Sequence, residues 1–165
     1  MFKKILFCTD FSENAHWAFT YALNLAKTYE GKLLILHVTP DPAFVYPDTL
    51  NTYIPEETLQ KLEASEEEKM DRELNTYYVQ KMDGFEDYKT LLKKGVAFYE
   101  IIKTVKEESV DLVVMGTHGR TGLDHILFGS TAEKVVRKSP CPVLTIRLPG
   151  NALKCLERSL AQREY

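Results

Sequence analysis

The chain has 165 residues, of which 44% are hydrophobic and 27% charged, a composition typical of one ordinary globular domain with a sizeable core. A formal net charge of −3 argues against general binding to nucleic acid or to an anionic membrane surface. No stretch approaches the roughly 18 apolar residues of a membrane span, and the apolar run at the amino terminus is too short for a signal peptide. We therefore expect a cytoplasmic protein with no nucleic-acid or membrane partner.

Short apolar runs without alternation recur along the chain, as in parallel strands that are covered on both faces. They occupy residues 5–9, 33–38, 88–92, 110–115 and 143–147. Helical patterns separate them: one follows the N-cap Ser12, and the others span residues 55–82, 98–109 and 130–139. Five strands that alternate with helices predict an α/β fold, a doubly wound five-stranded parallel sheet in a single domain.

Two further segments have distinct compositions. Residues 39–55 contain four prolines and three aromatic residues, which indicates a long loop. The helix after it has a predicted core stripe formed by Leu59, Leu62, Met70, Leu74 and Tyr77. Its charged run at residues 63–69 favours a solvated face over a metal cluster.

The chain breaks at a Leu-Pro-Gly sequence, residues 148–150. The predicted domain therefore covers residues 1–148, and residues 149–165 form an added helical tail. Leu153, Leu156 and Leu160 share one face of that tail and need a surface to cover.

A glycine-bearing loop, GTHGRTGLDHILFGS at residues 116–130, joins the fourth predicted strand to the next helix. Gly116, Gly119 and Gly129 stand in the spacing G-x2-G-x9-G, and Ser130 follows at once. Amides at a helix start have no partner inside the helix, and the helix dipole favours negative charge there. The loop therefore predicts an anion site, although it matches neither GxxxxGK[ST] nor GxGxxG.

An alternative interpretation assigns the serine to its own helix. Ser130 and Glu133 form S-x-x-E, the pattern of a capping box, and the glycines would then be plain turn residues. The two interpretations are compatible in part, because a capping hydroxyl can rotate to meet a phosphate.

The motif and its flanks resemble the ATP-binding subgroup of the universal stress protein family. The flanks are VDLVVMGTHGRTGL and LFGSTAEKVVRKSPCPVLTIR, and ILFCTDFSENAHWAF and LLILHV also fall where that family places them. The resemblance covers about residues 1–148 and implies the strand order 3-2-1-4-5. Strands 1 and 4 would then flank the switch point, where ligands bind beyond the carboxyl ends of the strands.

The resemblance also implies a site for ATP with Mg²⁺ or for a related adenine nucleotide. Residues of the motif would hold the phosphates through backbone amides and the serine hydroxyl: Gly116, Gly119, Gly129 and Ser130. Residues around adenine and ribose would be Thr9, Asp10, Val38, Met115 and Thr131, and Arg120 would touch a phosphate. The family often has proline where this chain has Cys8.

Asp10 has two possible roles. It would accept hydrogen bonds from ribose hydroxyls or help to hold a magnesium ion, or else it would only cap the turn at Ser12. The loop residues His118, Asp124 and His125 match no metal-ligand spacing and indicate solvated side chains. His16 and His37 are predicted to be structural.

The motif favours an ATP-binding regulatory or stress-response protein with no catalytic residues. Nothing resembles a nucleophile–base pair, and no lysine stands in the loop to stabilise a transferred phosphoryl group. Hydrolysis is therefore expected to be slow at most. The alternatives are a slow ATPase or nucleotidyl-transfer enzyme and a nucleotide-free interaction module.

The last predicted strand, residues 143–147, also predicts a homodimer. It is apolar and β-branched from Val143 onward, with only its final residue, Arg147, charged, and in the order 3-2-1-4-5 it is an edge strand. Unprotected edges of this kind invite antiparallel pairing with a second copy across a two-fold axis.

Overall fold

A computed structural model of the chain describes residues 1–41, 55–117 and 129–149. These ranges contain the strands β1 Lys4–Thr9, β2 Lys32–Thr39, β3 Tyr88–Lys94, β4 Leu112–Gly116 and β5 Val143–Ile146. The helices are α1 Glu13–Tyr29, α2 Glu56–Tyr77, α3 Ala97–Glu107 and α4 Ser130–Lys138, with a 3₁₀ turn at Val79–Lys81. The predicted tail and most of the motif loop lie outside the described residues.

The five strands form one parallel sheet in the order β3-β2-β1-β4-β5. At its centre Phe7 of β1 pairs with Ile35 of β2 on one side and with Val114 of β4 on the other. The predicted fold class and strand order are confirmed. The order reverses between β1 and β4, which places the switch point at their carboxyl ends.

Consecutive residues of the central strand enter two different cores, which explains why its apolar run shows no alternation. Ile5 and Phe7 pack in the cluster that contains α1 and the end of α2. Leu6 packs on the opposite face, with α3 and α4. Each of the three is fully buried, as expected for a central strand between two helical layers.

The predicted core stripe of α2 is confirmed in part, since Leu59 and Met70 are half-buried. Leu74 is the one buried residue of this helix, whereas Leu62 is 54% exposed and Tyr77 is 39% exposed. The buried aromatic side chain is Tyr78, which follows the end of the helix and points into the core where the chain enters the 3₁₀ turn. The helical period therefore fails as a guide where the helix stops.

The exposed turns of α2 are stabilised by their own surface charges. Lys61 pairs with Glu57 and Arg72 with Glu68, each at i,i+4 and 2.7 Å. The predicted solvated face at residues 63–69 is confirmed, since all of these residues are exposed. No helix among the described residues is long and apolar enough to cross a membrane.

Candidate functional site

A cleft of about 240 Å³ opens at the switch point of the sheet. The carboxyl ends of β1, β2 and β4 form its floor, α3 forms one side, and the start of α4 forms the other. The described residues that line it are Cys8, Thr9, Asp10, Ala15, Val38, Ala97, Ile101, Met115, Gly116, Thr117, Gly129, Ser130, Thr131 and Ala132.

All the predicted site residues within the described ranges line this one cleft. They are Thr9, Asp10, Val38, Met115, Gly116, Gly129, Ser130 and Thr131. Gly119 and Arg120 lie outside the described residues, as do His118, Asp124 and His125. The structure thus brings together residues that are more than 100 positions apart in sequence, while their role as nucleotide ligands stays a prediction.

One end of the cleft is apolar, and part of it was not predicted. Ala97 and Ile101, one turn apart near the start of α3, join Val38 and Met115 there. The available signal was the apolar face of α3, which begins directly after a glycine-bearing turn. Cys8 adds a small buried side chain, and burial raises the pKa of its thiol, which therefore stays protonated and apolar.

The other end of the cleft is the start of α4, and it differs from the predicted capping box. The N-cap is Gly129, so Ser130 is the first helical residue and no side chain caps the helix. Glu133 forms an ion pair with Arg137 at 3.3 Å rather than reaching back. The prediction of an S-x-x-E cap is therefore wrong, because the helix begins one residue earlier than the pattern requires.

The backbone amide of Gly129 has an internal partner. It donates to the carbonyl oxygen of Thr117 at 2.7 Å, and Thr117 in turn donates its N–H to Ile146 O at 3.0 Å. Gly129 N–H therefore closes the base of the motif loop, contrary to its predicted use on a phosphate. The amides that have no acceptor within the helix are those of Ser130, Thr131 and Ala132, in a turn that carries two hydroxyl side chains.

Gly116 lies against the first turn of α1. A Cβ atom at this position would lie 2.9 Å from Asn14 Cβ, 3.1 Å from Asn14 C and 3.2 Å from Ala15 N. The side chain of Asn14 accepts a hydrogen bond from Leu148 N–H at 3.2 Å. The glycine thus allows β4 and α1 to approach closely, and the buried Asn14, which sequence reasoning missed, connects this point to the end of β5.

Asp10 stabilises the turn between β1 and α1. Its Oδ1 accepts from Ser12 N–H at 3.1 Å, and Ser12 Oγ accepts from Ala15 N–H as the helix N-cap. Phe11 between them has a left-handed backbone, with φ of 61°. The predicted capping role of Asp10 is confirmed, and the same turn sets its carboxylate at the wall of the cleft.

Thr9 is fixed by two histidine-linked contacts that the sequence did not indicate. His37, buried as predicted, donates from Nδ1 to the Thr9 carbonyl oxygen at 2.8 Å. The Thr9 hydroxyl forms a short hydrogen bond with the hydroxyl of Tyr78, which also contacts Nδ1 of His16 at 3.0 Å. A polar chain therefore runs from the cleft through the core beside α1.

The sheet order, the cleft at its reversal and the helix start beside it define a doubly wound α/β protein of the Rossmann type. Residues 1–147 match the model of the universal stress protein family. The chain belongs to that family.

Relatives from several organisms agree with this assignment. The Methanocaldococcus jannaschii universal stress protein MJ0577 is 32% identical over 155 residues, which cover 89% of this chain and 96% of that protein. The solved structure of MJ0577 superposes with a TM-score of 0.76 and covers 91% of this chain and 99% of its own. Bacillus subtilis YxiE is 31% identical and covers 89% of this chain and all of its own length. A universal stress protein solved in complex with cAMP shares the fold, with a TM-score of 0.57, 22% identity and coverage of 88% and 96%.

Proposed function

We propose that this universal stress protein binds an adenine nucleotide, ATP with Mg²⁺, and acts as a nucleotide-dependent regulatory protein in the stress response. The observation that carries the proposal is the two-ended character of the cleft. Helix-start amides and hydroxyls stand at one end, and apolar side chains stand at the other. A nucleotide has the same division between its phosphates and its base.

The phosphate end rests on Ser130 and Thr131. Their amides point out of the first turn of α4, where the helix dipole adds a favourable field for an anion. The hydroxyl of Ser130 is not used as a helix cap, so it can donate to a phosphate oxygen without loss of a helix contact. Gly129 contributes the absence of a side chain at the same edge.

The base end rests on Val38, Met115 and Ile101, which offer apolar contacts to the two faces of a flat ring. Thr9 stands between this end and the phosphate end, with its hydroxyl and carbonyl already oriented by neighbours. Cleft walls of apolar side chains with a few oriented polar groups are the usual construction of a small-molecule site.

Magnesium would enter with the nucleotide. Among residues 1–41, 55–117 and 129–149 no cluster of three or more His, Cys, Asp or Glu side chains is suited to hold a metal. Asp10 supplies one carboxylate at the cleft wall, and Mg²⁺ in nucleotide sites commonly uses one or two carboxylates together with phosphate oxygens. Asp10 is thus the residue that fits the ion when phosphates are present.

Three measurements on the purified full-length protein test this proposal. Mass spectrometry of the small molecules released on denaturation should find an adenine nucleotide, and calorimetry should show ATP binding that strengthens with Mg²⁺. Turnover of labelled ATP should stay below about one per second, the low end of the common enzyme range, because the described cleft holds no nucleophile–base pair or lysine.

Other outcomes select the alternatives. Sustained turnover above about one per second would favour the ATPase or nucleotidyl-transfer enzyme. No binding of ATP, ADP, AMP or cAMP would favour the nucleotide-free interaction module. The cyclic nucleotide is included because a protein of the same fold was solved with it.

The proposal includes a homodimer through β5, in the cytoplasm. Among the described residues β5 pairs with β4 alone and forms one edge of the sheet. The unpaired backbone groups of this edge would be satisfied by antiparallel pairing with a second copy.

We expect light scattering to give a dimeric mass for the full chain. The matched variant ends at Pro149 and lacks the tail. A monomeric mass for both forms, at concentrations well above micromolar, would exclude the dimer. A full chain that is monomeric and dimerises only on truncation would assign the tail as a cover for the edge.

A further inference from the structure

A chain of hydrogen bonds links the cleft to a second depression on the protein surface. Thr9 lines the cleft and bonds to Tyr78, and Tyr78 bonds to His16. His16 is half-buried and forms part of the wall of the second depression, which lies between α1 and the residues after α2 and has a volume of about 290 Å³. One end of the chain therefore faces the candidate ligand site, and the other faces solvent.

The contacts of Thr9 fix its heavy atoms and leave the direction of its hydroxyl proton to Tyr78. Phe11 N–H donates to Thr9 Oγ1 at 2.9 Å, which uses one of the two lone pairs of that oxygen. His37 holds the Thr9 carbonyl oxygen. Among the described residues the remaining contact of the hydroxyl is Tyr78, whose ring is fully buried.

The hydroxyl protons of Tyr78 and Thr9 can satisfy these hydrogen bonds in two arrangements, which depend on whether Nδ1 of His16 carries a proton. When His16 is neutral with its proton on Nε2, Nδ1 accepts from Tyr78, and the Tyr78 oxygen accepts the Thr9 proton. When His16 is protonated, Nδ1 donates to Tyr78, and the Tyr78 hydroxyl donates to Thr9. Both lone pairs of Thr9 Oγ1 are then occupied, and its own proton is directed toward the cleft.

We propose that Tyr78 and His16 are positioning residues of the cleft, and that protonation of His16 turns the Thr9 hydroxyl into a donor toward a bound nucleotide. The inference rests on the proposed nucleotide function. Ribose oxygens, phosphate oxygens and ring nitrogens all accept hydrogen bonds, so the donor form binds more tightly. Linkage is reciprocal, and the bound nucleotide therefore raises the pKa of His16.

The groups around His16 determine where it titrates. Burial lowers its pKa and the Lys81 ammonium lowers it further, whereas the carboxylates of Asp10 and Glu13 act in the opposite direction. The rings of Tyr77 and Tyr78 pack against the imidazole.

Three other ionisable groups, Lys27, Asp83 and Tyr78, belong to the surroundings of His16. Lys27 and Asp83 face the same depression as an ion pair at 3.0 Å. Burial raises the pKa of Tyr78, so its hydroxyl keeps its proton and only relays. Of the three hydrogen-bonded residues Thr9, Tyr78 and His16, it is therefore His16 that changes its charge. Its pKa lies below the ordinary histidine value of about 6.5.

The test compares ATP affinity at pH 5.5 and pH 7.5 in the full chain and in three variants. Y78F keeps the buried ring and removes the relay, and H16Q removes the titrating group. Y77F is the matched control, because it keeps the ring that stacks on His16 and leaves the hydrogen bonds between Thr9, Tyr78 and His16 intact. ATP itself takes up a proton in this range, and the variants carry that contribution equally.

We expect ATP affinity to rise between pH 7.5 and pH 5.5 by a factor about three- to tenfold larger in the wild type and Y77F than in Y78F and H16Q. A factor of this size corresponds to the free energy of one hydrogen bond. In Y78F the Thr9 hydroxyl has no acceptor at position 78, so its proton is free to point toward the cleft at either pH. The ATP affinity of Y78F at pH 7.5 should therefore approach that of the wild type at pH 5.5. An identical pH profile in all four proteins would overturn the proposal.

Nuclear magnetic resonance separates failure of the relay from failure of the nucleotide function. Without ligand, ¹⁵N shifts of neutral His16 should show the proton on Nε2. The Phe11 amide signal should follow the His16 titration in the wild type and in Y77F, but not in Y78F. If the protein shows this response but binds no nucleotide, the proposed nucleotide function is contradicted and the hydrogen-bond relay is supported. A Phe11 signal that ignores His16 in the wild type overturns the relay, whether or not ATP binds.

Discussion

Replacing Gly129 by valine is expected to weaken ATP binding at least about a hundredfold while the protein stays folded. Gly129 has φ of −65° and ψ of 155°, an extended backbone that any residue adopts, so the substitution introduces no backbone strain. The isopropyl group would stand at the edge of the cleft beside Ser130, where a phosphate must approach the helix amides. A hundredfold loss corresponds to about 2.7 kcal/mol of binding free energy.

Calorimetry on a graded series checks this expectation. Gly129→Ala should lie between the wild type and Gly129→Val, because obstruction grows with side-chain volume. Val136→Ala is the matched control, since Val136 is on the same helix, is 45% exposed and does not line the cleft. Unchanged ATP affinity in Gly129→Val would place the site elsewhere on the protein.

Replacing Gly116 by alanine should have the opposite signature, a loss of folding stability. The new methyl group would meet Asn14 Cβ at 2.9 Å and the backbone of the first turn of α1 just beyond 3 Å. These atoms belong to a capped helix and cannot rotate away. We expect the free energy of unfolding to fall by about 1–3 kcal/mol, as for other overpacked sites, out of a total of roughly 5–15 kcal/mol.

Urea denaturation measures this loss, and a double-mutant cycle assigns it. Asn14→Gly removes the Cβ that the alanine would strike, at the cost of its own helix and hydrogen-bond losses. The pair Gly116→Ala and Asn14→Gly should therefore destabilise by less than the sum of the single changes. Strict additivity, or a Gly116→Ala protein as stable as the wild type, would contradict the close approach.

The two glycines show how far the motif could be interpreted from sequence. Their spacing predicted an anion-binding loop, the family resemblance implied that the loop lies at the switch point, and the structure brings both glycines to one cleft. The structural role of each glycine depends on contacts that cannot be read from the sequence. Gly129 bonds to Thr117 across the base of the loop, and Gly116 lies against Asn14, which is more than 100 residues away.

Strand positions were predictable for a simple physical reason. A run such as Ile5, Leu6 and Phe7 is apolar at every position because helices cover both faces of the sheet. The cleft walls were less predictable, because Ala97 and Ile101 carry no chemical signature and matter only once α3 is packed beside the sheet. Tyr78 was missed because the helical period was followed to Tyr77, the last residue of α2, whose side chain is exposed, whereas the fully buried residue is the next one.

The hydrogen bond between Asn14 and Leu148 gives the fold a mechanical property. It joins two residues 134 positions apart and so ties the first turn of α1 to the point where the chain leaves the sheet. Ala15, in the same turn, lines the cleft. We therefore expect a ligand that displaces this turn to shift Leu148 as well, which would couple occupancy of the cleft to the direction in which the chain leaves β5.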